Sequence, residues 1–281
     1  MPPSPVPTVT LTHGARMPRL GLGTWPLDDQ AVAPVVERAV GLGYRLIDTA
    51  HNYGNERGVG AGLRASGVPR EELFVTTKFN KRSHSVRGVR RAAQDSVRRM
   101  GVGYLDLLLI HWPNPWRDRY VAAWQGLIEL LKDGQVRAIG VSNFKATHLD
   151  RLLDETGVVP DVNQIQLDPR LGRAEIRDYH ARHGIVTEAW SPLGADTGLL
   201  TDPVITRIAA EHGRTPAQIV LRWHLDLGLV VVPKSSSAAR LAENIDVFDI
   251  ALTPAQLADI TALDRGAAGE AAALDSDSFG H

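Results

Sequence analysis

The amino-acid sequence predicts an α/β fold, specifically a (β/α)8 TIM barrel with a short N-terminal β-hairpin and a C-terminal loop. Eight short runs rich in Val, Ile and Leu alternate with longer segments in which apolar residues recur at helical spacing. This alternation indicates a parallel sheet, and eight units without a break in composition favour a closed barrel over an open sheet. Because 281 residues is a usual length for such a barrel, we expect residues 1–281 to form a single domain.

The predicted elements follow one another in a simple order. Val9 to Leu11 and Met17-Pro18, which flank His13-Gly14, predict a small hairpin that covers the barrel floor. The strands are predicted at 20–25, 45–48, 73–78, 105–111, 136–142, 162–166, 185–190 and 229–233. Helices are predicted at 30–42, 56–65, 85–100, 120–132, 146–155, 174–183 and 216–227. Residues 266–281 are rich in Ala, Asp and Ser and lack periodicity, so we expect a loop there.

Composition excludes several functional classes. A net charge of −1 leaves no electrostatic footprint for nucleic acid or an anionic membrane. The absence of cysteine excludes disulfides, thiolate nucleophiles and Cys-ligated zinc. Residues 1–9 are rich in Pro and have neither a basic start nor a long apolar run, so we expect no signal peptide or membrane span. We therefore expect a cytoplasmic protein without nucleic-acid or membrane partners. We also expect a monomer.

Four polar side chains follow apolar strands at one predicted rim. Asp48, Lys78 and His111 each end a strand, and Tyr53 follows Asp48 by five residues. In a TIM barrel the carboxyl ends of the strands share one face, which carries the active site. A Lys78 ammonium would lower the pKa of the Tyr53 phenol from about 10, and Asp48 would keep Lys78 charged. Together they predict a proton-transfer site.

Each of these residues also has a structural interpretation. Tyr53 alone could be a loop aromatic that packs on a helix, Lys78 a strand-end lysine that reaches solvent, and Asp48 a cap or turn residue. His111 could be a metal ligand, a base, or a hydrogen-bond donor to a substrate oxygen. No His-x-His or His-Glu-x-x-His motif occurs, and we expect His180 and His183 on a solvated helix face, so the sequence predicts no metal site.

An anion site is predicted near the end of the barrel. Lys234 and three serines precede Arg240 at the start of a helix from Ala238, a combination that favours a phosphate. The alternative is a Ser-rich turn that caps this helix. No Walker-type loop occurs, and the glycines at 58–62 do not follow a strand as a Rossmann fingerprint would. A nucleotide would therefore bind to a barrel.

Longer motifs occur in order between Val9 and about Asp264. They are GLGTW (21–25), DTAHNYGNE (48–56), TTK (76–78), LLIHWP (108–113), IGVSNF (139–144), VNQIQ (162–166), WSPLG (190–194), TPAQIVLRW (215–223), PKS (233–235) and ENIDVFD (243–249). In these motifs the chain resembles the aldo-keto reductases, especially the bacterial 2,5-diketo-D-gluconate reductase group. The resemblance implies NADPH-dependent reduction of aldehydes, ketones or small dicarbonyls by hydride transfer.

The resemblance also implies roles for individual residues. Asp48, Tyr53, Lys78 and His111 correspond to the catalytic tetrad of the family, with Tyr53 as proton donor. The implied cofactor contacts are Ser142, Asn143 and Gln164 to the carboxamide, Trp190 to the nicotinamide ring, Ser191 and Leu193 to the pyrophosphate, Lys234, Ser235 and Arg240 to the 2′-phosphate, and Glu243 and Asn244 to the adenine end. We expect the substrate walls to be Trp25, His51, Phe79, Trp112, Trp116 and Phe279.

Two other functional classes stay open at this point. One is an NADPH-binding module with little or no turnover, which the intact tetrad opposes. The other is a barrel enzyme of unrelated chemistry, such as an isomerase or metal hydrolase, which the cofactor motifs oppose. The predicted mouth loops at 24–29, 113–118 and 195–200 are short, so we expect compact carbonyl substrates rather than steroids.

Overall fold

The computed structural model describes residues 6–195 and 197–281. Residues 1–5 and Asp196 lie outside the described residues. The first five belong to the segment in which no signal peptide is expected, and Asp196 belongs to the predicted mouth loop 195–200. Strands β1 (Thr8–Thr10) and β2 (Arg16–Pro18) pair antiparallel, with Val9 opposite Met17. Leu11 and Met17 pack against the apolar side chains inside the barrel, which confirms the predicted hairpin at the barrel floor.

Eight parallel strands form the barrel, and their order in the sheet follows their order in the chain. They are β3 (Gly21–Gly23), β4 (Leu46–Asp48), β5 (Phe74–Phe79), β6 (Leu105–Ile110), β7 (Val136–Ser142), β8 (Val162–Gln166), β9 (Val186–Trp190) and β10 (Val230–Val231). A parallel bridge between Leu20 and Val231 joins the first of these strands to the last. The predicted (β/α)8 barrel is confirmed, and the strand ends differ from the predictions by at most two residues.

Helices surround the sheet. They are α1 (Asp29–Gly41), α2 (Glu56–Ala65), α3 (Val86–Met100), α4 (Tyr120–Lys132), α5 (Ala146–Thr156), α6 (Ala174–His183), α7 (Pro203–His212), α8 (Pro216–Asp226), α9 (Ala238–Ile245), α10 (Pro254–Thr261) and α11 (Ala267–Ala272). Among the described residues, none of these helices has the length and apolar character needed to cross a bilayer.

Three of these helices correct the sequence predictions. The predicted set does not include α7 and α10, and α11 shows that residues 266–281 are not loop throughout. Capping signals mark the first two starts: Asp202 caps α7 ahead of Pro203, and Thr253 forms a capping box with Gln256 at α10. A search for apolar periodicity alone passes over such short, partly exposed helices.

The strands place polar side chains at one rim because side chains alternate between the two faces of a strand. Leu46, Leu109 and Val162 belong to the apolar cluster inside the barrel. Two residues later in the same rows stand Asp48, His111 and Gln164, closer to the carboxyl ends of the strands. The barrel interior is thus apolar at its floor and polar at its C-terminal rim, where TIM-barrel active sites lie.

Candidate active site

The structure brings the four predicted tetrad side chains together at this rim. Lys78 Nζ lies 2.6 Å from Asp48 Oδ1, and it also donates to the Thr49 carbonyl at 3.1 Å and to Tyr53 Oη at 3.4 Å. Tyr53 ends a short 3₁₀ turn, His51–Tyr53, which Gly54 terminates in the left-handed conformation with φ 68°. The rings of Tyr53 and His111 are 5.8 Å apart. The arrangement forms one hydrogen-bonded chain from Asp48 to the phenol.

Lys78 is a fully buried cation, so the solvent-reaching interpretation of this residue is wrong. Burial acts to lower the pKa of Lys78, but the charge of Asp48 and then the Tyr53 phenol act to raise it. The net shift is upward. Lys78 therefore stays an ammonium ion beside the phenol oxygen at neutral pH.

The pKa of the Tyr53 phenol differs from the expectation. The charge of Lys78 does lower the pKa of the phenol, as predicted, but desolvation by burial is the larger influence and raises it. The net pKa lies above the ordinary value of 10.0. The expectation of a lowered pKa is therefore wrong, and Tyr53 is a protonated phenol at neutral pH.

His111 is a neutral imidazole at neutral pH. Burial lowers its pKa well below 6.5, and the charges of Lys78 and His281 add to that effect. Among the described residues its Nδ1 has no hydrogen-bond partner. A neutral imidazole at this place can donate one hydrogen bond to an oxygen in the cavity without carrying a charge of its own.

A cavity of about 630 Å³ opens above the tetrad. Of the residues predicted to hold the nicotinamide end, Ser142, Asn143, Gln164, Trp190 and Ser191 line it. Trp190 Nε1 donates to Asn143 Oδ1 at 2.9 Å, which fixes the indole beside that amide. Asn143 and Ser191 have φ angles of 64° and 51°, an uncommon conformation for these residue types. Such backbone outliers concentrate at ligand sites.

A second hollow of about 370 Å³ shares Lys234 with the first. The other predicted cofactor residues line it, namely Leu193, Ser235, Arg240, Glu243 and Asn244. Ser237 caps α9 by accepting from the Arg240 backbone amide at 3.4 Å, so the capping alternative holds for this serine, and the predicted anion-site residues lie in the hollow beside it. An elongated site with an aromatic and amide-bearing end and a cationic end fits a phosphorylated dinucleotide such as NADPH.

The predicted substrate walls divide into two groups. Trp25, Trp112 and Phe279 line the cavity above the tetrad, whereas His51, Phe79 and Trp116 do not, so this part of the prediction is corrected. His51 Nδ1 accepts from Arg99 at 2.9 Å on the outer surface, and Phe79 packs against His84. Trp116 is 52% exposed and lies near Lys81.

Sequence reasoning missed several cavity residues, above all in the C-terminal segment. Leu274 and His281 line the cavity with Phe279, whose ring centroid is 4.8 Å from that of Trp112. An ion pair between Lys145 and Asp275, 2.6 Å apart, and a polar contact of 2.9 Å between His148 Nε2 and Asp277 hold this segment to the barrel. The segment beyond α11 is irregular, and its apolar side chains therefore follow no period that would have revealed them.

One histidine of α6 also differs from its prediction. His180 is fully buried and bonds Asn163 at 2.9 Å and Thr187 at 2.8 Å, so it does not lie on a solvated face. In residues 6–195 and 197–281, no three His, Asp or Glu side chains converge as the ligands of a metal ion would.

Comparisons with known proteins agree with this geometry. A profile of the Aldo/keto reductase family matches residues 19–265. The chain is 47% identical over 276 residues to methylglyoxal reductase DkgA of Escherichia coli, covering 98% of each chain. A crystal structure of a Gox0644 mutant in complex with NADPH has a TM-score of 0.93, with 43% identity over 98% of this chain and 99% of that one. A Bombyx mori aldo-keto reductase solved with NADP has a TM-score of 0.87 at 36% identity, over 93% and 94% of the two chains. The chain belongs to the aldo/keto reductase family.

Proposed function

We propose that this chain reduces small aldehydes, ketones and dicarbonyls to alcohols with NADPH, and that Tyr53 donates the proton. The observation that carries the proposal is the buried chain Asp48–Lys78–Tyr53 at the bottom of the cavity. NADPH, when bound, supplies a hydride to the carbonyl carbon. The substrate oxygen takes the proton from Tyr53 Oη, and the Lys78 ammonium stabilises the phenolate that remains.

His111 and Asp48 have supporting roles in this proposal. The neutral imidazole of His111 donates a hydrogen bond to the carbonyl oxygen, which orients the substrate and stabilises the charge that develops there. Asp48 holds Lys78 in place through the 2.6 Å ion pair. The electrostatic groups are thus in position before the substrate binds, which is the condition under which they lower a barrier most.

The cofactor residues divide between the two hollows. Ser142, Asn143 and Gln164 would bind the carboxamide, and Trp190 would stack on the nicotinamide ring. Ser191 and Leu193 would contact the pyrophosphate, and Lys234, Ser235 and Arg240 the 2′-phosphate. Glu243 and Asn244 would bind the adenine end. Two cations beside one phosphate favour NADPH over NADH, since NADH offers them no anion at that position.

The cavity favours compact substrates. The Trp25 ring lies next to Tyr53 and the Trp112 ring next to His111, and Phe279 and His281 both lie next to Trp112. The methylglyoxal reductase named among the relatives supports a small dicarbonyl. We expect kcat/KM for methylglyoxal to exceed that for a steroid ketone at least tenfold, or about 1.4 kcal/mol of transition-state binding. A tenfold advantage for the steroid would refute the compact site.

Carbonyl-dependent oxidation of NADPH by the purified protein tests the reaction itself. Methylglyoxal should accelerate NADPH oxidation, whereas binding of NADPH without turnover would favour the alternative of a non-catalytic module.

We also propose that the single barrel domain acts as a cytoplasmic monomer without nucleic-acid partners. A net charge of −1 supports the absence of nucleic-acid partners. Light scattering during size-exclusion chromatography tests the monomer.

A further inference from the structure

A second buried carboxyl group lies next to the tetrad and has no role in the reaction as described so far. Glu188 is on β9, where it pairs in register with Gln164 of β8 on one side and Val230 of β10 on the other. Its side chain is fully buried. Since Val186 packs with the apolar barrel interior, Glu188, two residues later, continues that row toward the rim. A carboxyl group is costly at such a place unless it has a partner.

Among residues 6–195 and 197–281, Glu188 has one hydrogen-bond partner, and that partner links it to the tetrad. Gln164 Nε2 donates to Glu188 Oε2 at 2.8 Å and to Asp48 Oδ2 at 2.9 Å. The two N–H groups of this amide are therefore both taken by carboxyl oxygens. The Gln164 carbonyl oxygen is thereby left available to the cavity that this residue lines. A hydrogen-bonded chain now runs from Glu188 through Gln164, Asp48 and Lys78 to Tyr53.

The charged and titratable groups that face Glu188 belong to this same chain. Burial and then the charge of Asp48 raise the pKa of Glu188 to about 8, and the Gln164 hydrogen bond and Lys78 oppose that rise. The β10 neighbour, Val230, is apolar. Glu188 Oε1 has no hydrogen-bond partner in the described part of the chain, so this oxygen can carry the proton of the neutral acid.

We propose that Glu188 is a positioning residue of the reductase, a buried carboxyl group that orients the Gln164 amide toward the cofactor and adjusts the electric field at Tyr53. The inference rests on the proposed role of Tyr53 as proton donor. When Glu188 ionises, a second negative charge joins Asp48 behind the single cation of Lys78. That charge raises the pKa of Tyr53 and keeps the phenol protonated as the pH rises. Reduction requires the protonated phenol, so Glu188 extends the reductase activity to higher pH.

Glu188→Gln tests the charge, because it keeps the shape and can still accept from Gln164. We expect the alkaline limb of the pH profile of kcat/KM for reduction to move to lower pH by about 0.5–1 unit. Glu56→Gln is the matched control. Glu56 is also buried, but it bonds Thr77 and Arg99 and is not part of the hydrogen-bonded chain from Glu188 to Tyr53. The alkaline limb of the Glu56→Gln profile should therefore stay in place. An unchanged limb in Glu188→Gln, or an equal shift in both variants, overturns the proposal.

Glu188→Ala tests the amide orientation by a readout other than activity. With one N–H of Gln164 released, we expect the Kd values for NADPH and NADH to rise together by about three- to tenfold in a fluorescence titration. Unchanged affinities for both cofactors would contradict the orienting role.

Infrared spectra at about pH 6 should show the signal of a protonated carboxylic acid, and this signal should be absent from Glu188→Gln. If Tyr53→Phe keeps full turnover, the proposed proton donor fails; if it loses turnover while the Glu188 tests fail, only this inference fails.

Discussion

Arg240→Ala is expected to weaken NADPH binding without affecting NADH. Arg240 is exposed on the first turn of α9 and lines the hollow that also contains Ser235 and Lys234. A hydrogen bond between charged groups contributes about 1.5–3 kcal/mol, and solvent screening at an exposed site favours the lower end. We therefore expect a loss of about 1.5 kcal/mol, or roughly tenfold in the Kd for NADPH. Lys234 keeps its charge, so the preference for NADPH should shrink rather than reverse.

Fluorescence titration of both cofactors measures this effect. The Kd for NADH should change less than about twofold, because NADH has no 2′-phosphate for the guanidinium to bind. Raising the salt concentration should weaken NADPH binding more in the wild type than in the variant. Arg207→Ala is the control, since Arg207 is an exposed arginine of α7 that pairs with Glu211 and Asp259 away from the hollow. Equal losses for NADPH and NADH would refute the assignment and make Arg240 a structural residue.

Two further predictions concern stability. Burial lowers the pKa of His180 to about 3, whereas the unfolded chain has a histidine pKa of about 6.5. The neutral ring therefore contributes stability above about pH 6.5, and this stability is lost as the pH falls toward about 3. His180→Gln should flatten the fall of Tm between about pH 6.5 and 4, and an unchanged slope would contradict this. A Cβ at Gly60 would lie 1.8 Å from the Met100 carbonyl oxygen, whereas one at Gly41 would meet nothing within 4 Å. Gly60→Ala should therefore cost several kcal/mol in urea denaturation and Gly41→Ala none, and similar midpoints for the two would show that α2 can move away from Met100.

The barrel could be predicted because its signals are repeated and local. Each strand is a short apolar run, each long helix has a clear apolar face, and eight such units exclude most other arrangements. Helices α7, α10 and α11 were missed because they are short and much of their surface is exposed. The sequence signals for α7 and α10 were the capping residues Asp202 and Thr253, each followed by a proline at the first position of the helix. Neither signal is a periodic pattern of apolar residues.

Side-chain direction was predictable for the site residues that lie within strands. Asp48, Lys78 and Gln164 lie within strands, and the alternation of a strand sends them into the barrel. His51 and Trp116 lie in turns, where no such rule applies, and both face outward. The upward shift of the Tyr53 pKa depends on the depth of burial, which no spacing in the sequence encodes. The contacts of Phe279 and His281 depend on how an irregular segment crosses the rim.

The turnover of Tyr53→Phe with methylglyoxal and NADPH tests the central claim most directly. This change removes one hydroxyl group, so NADPH should bind with a Kd close to that of the wild type while kcat falls by about 10²–10⁴-fold. Tyr104→Phe is the control, since the Tyr104 ring packs under Arg70 away from the cavity and should leave kcat unchanged. If Tyr53→Phe turns over within about threefold of the wild type, Tyr53 is not the proton donor and the account of this site is wrong.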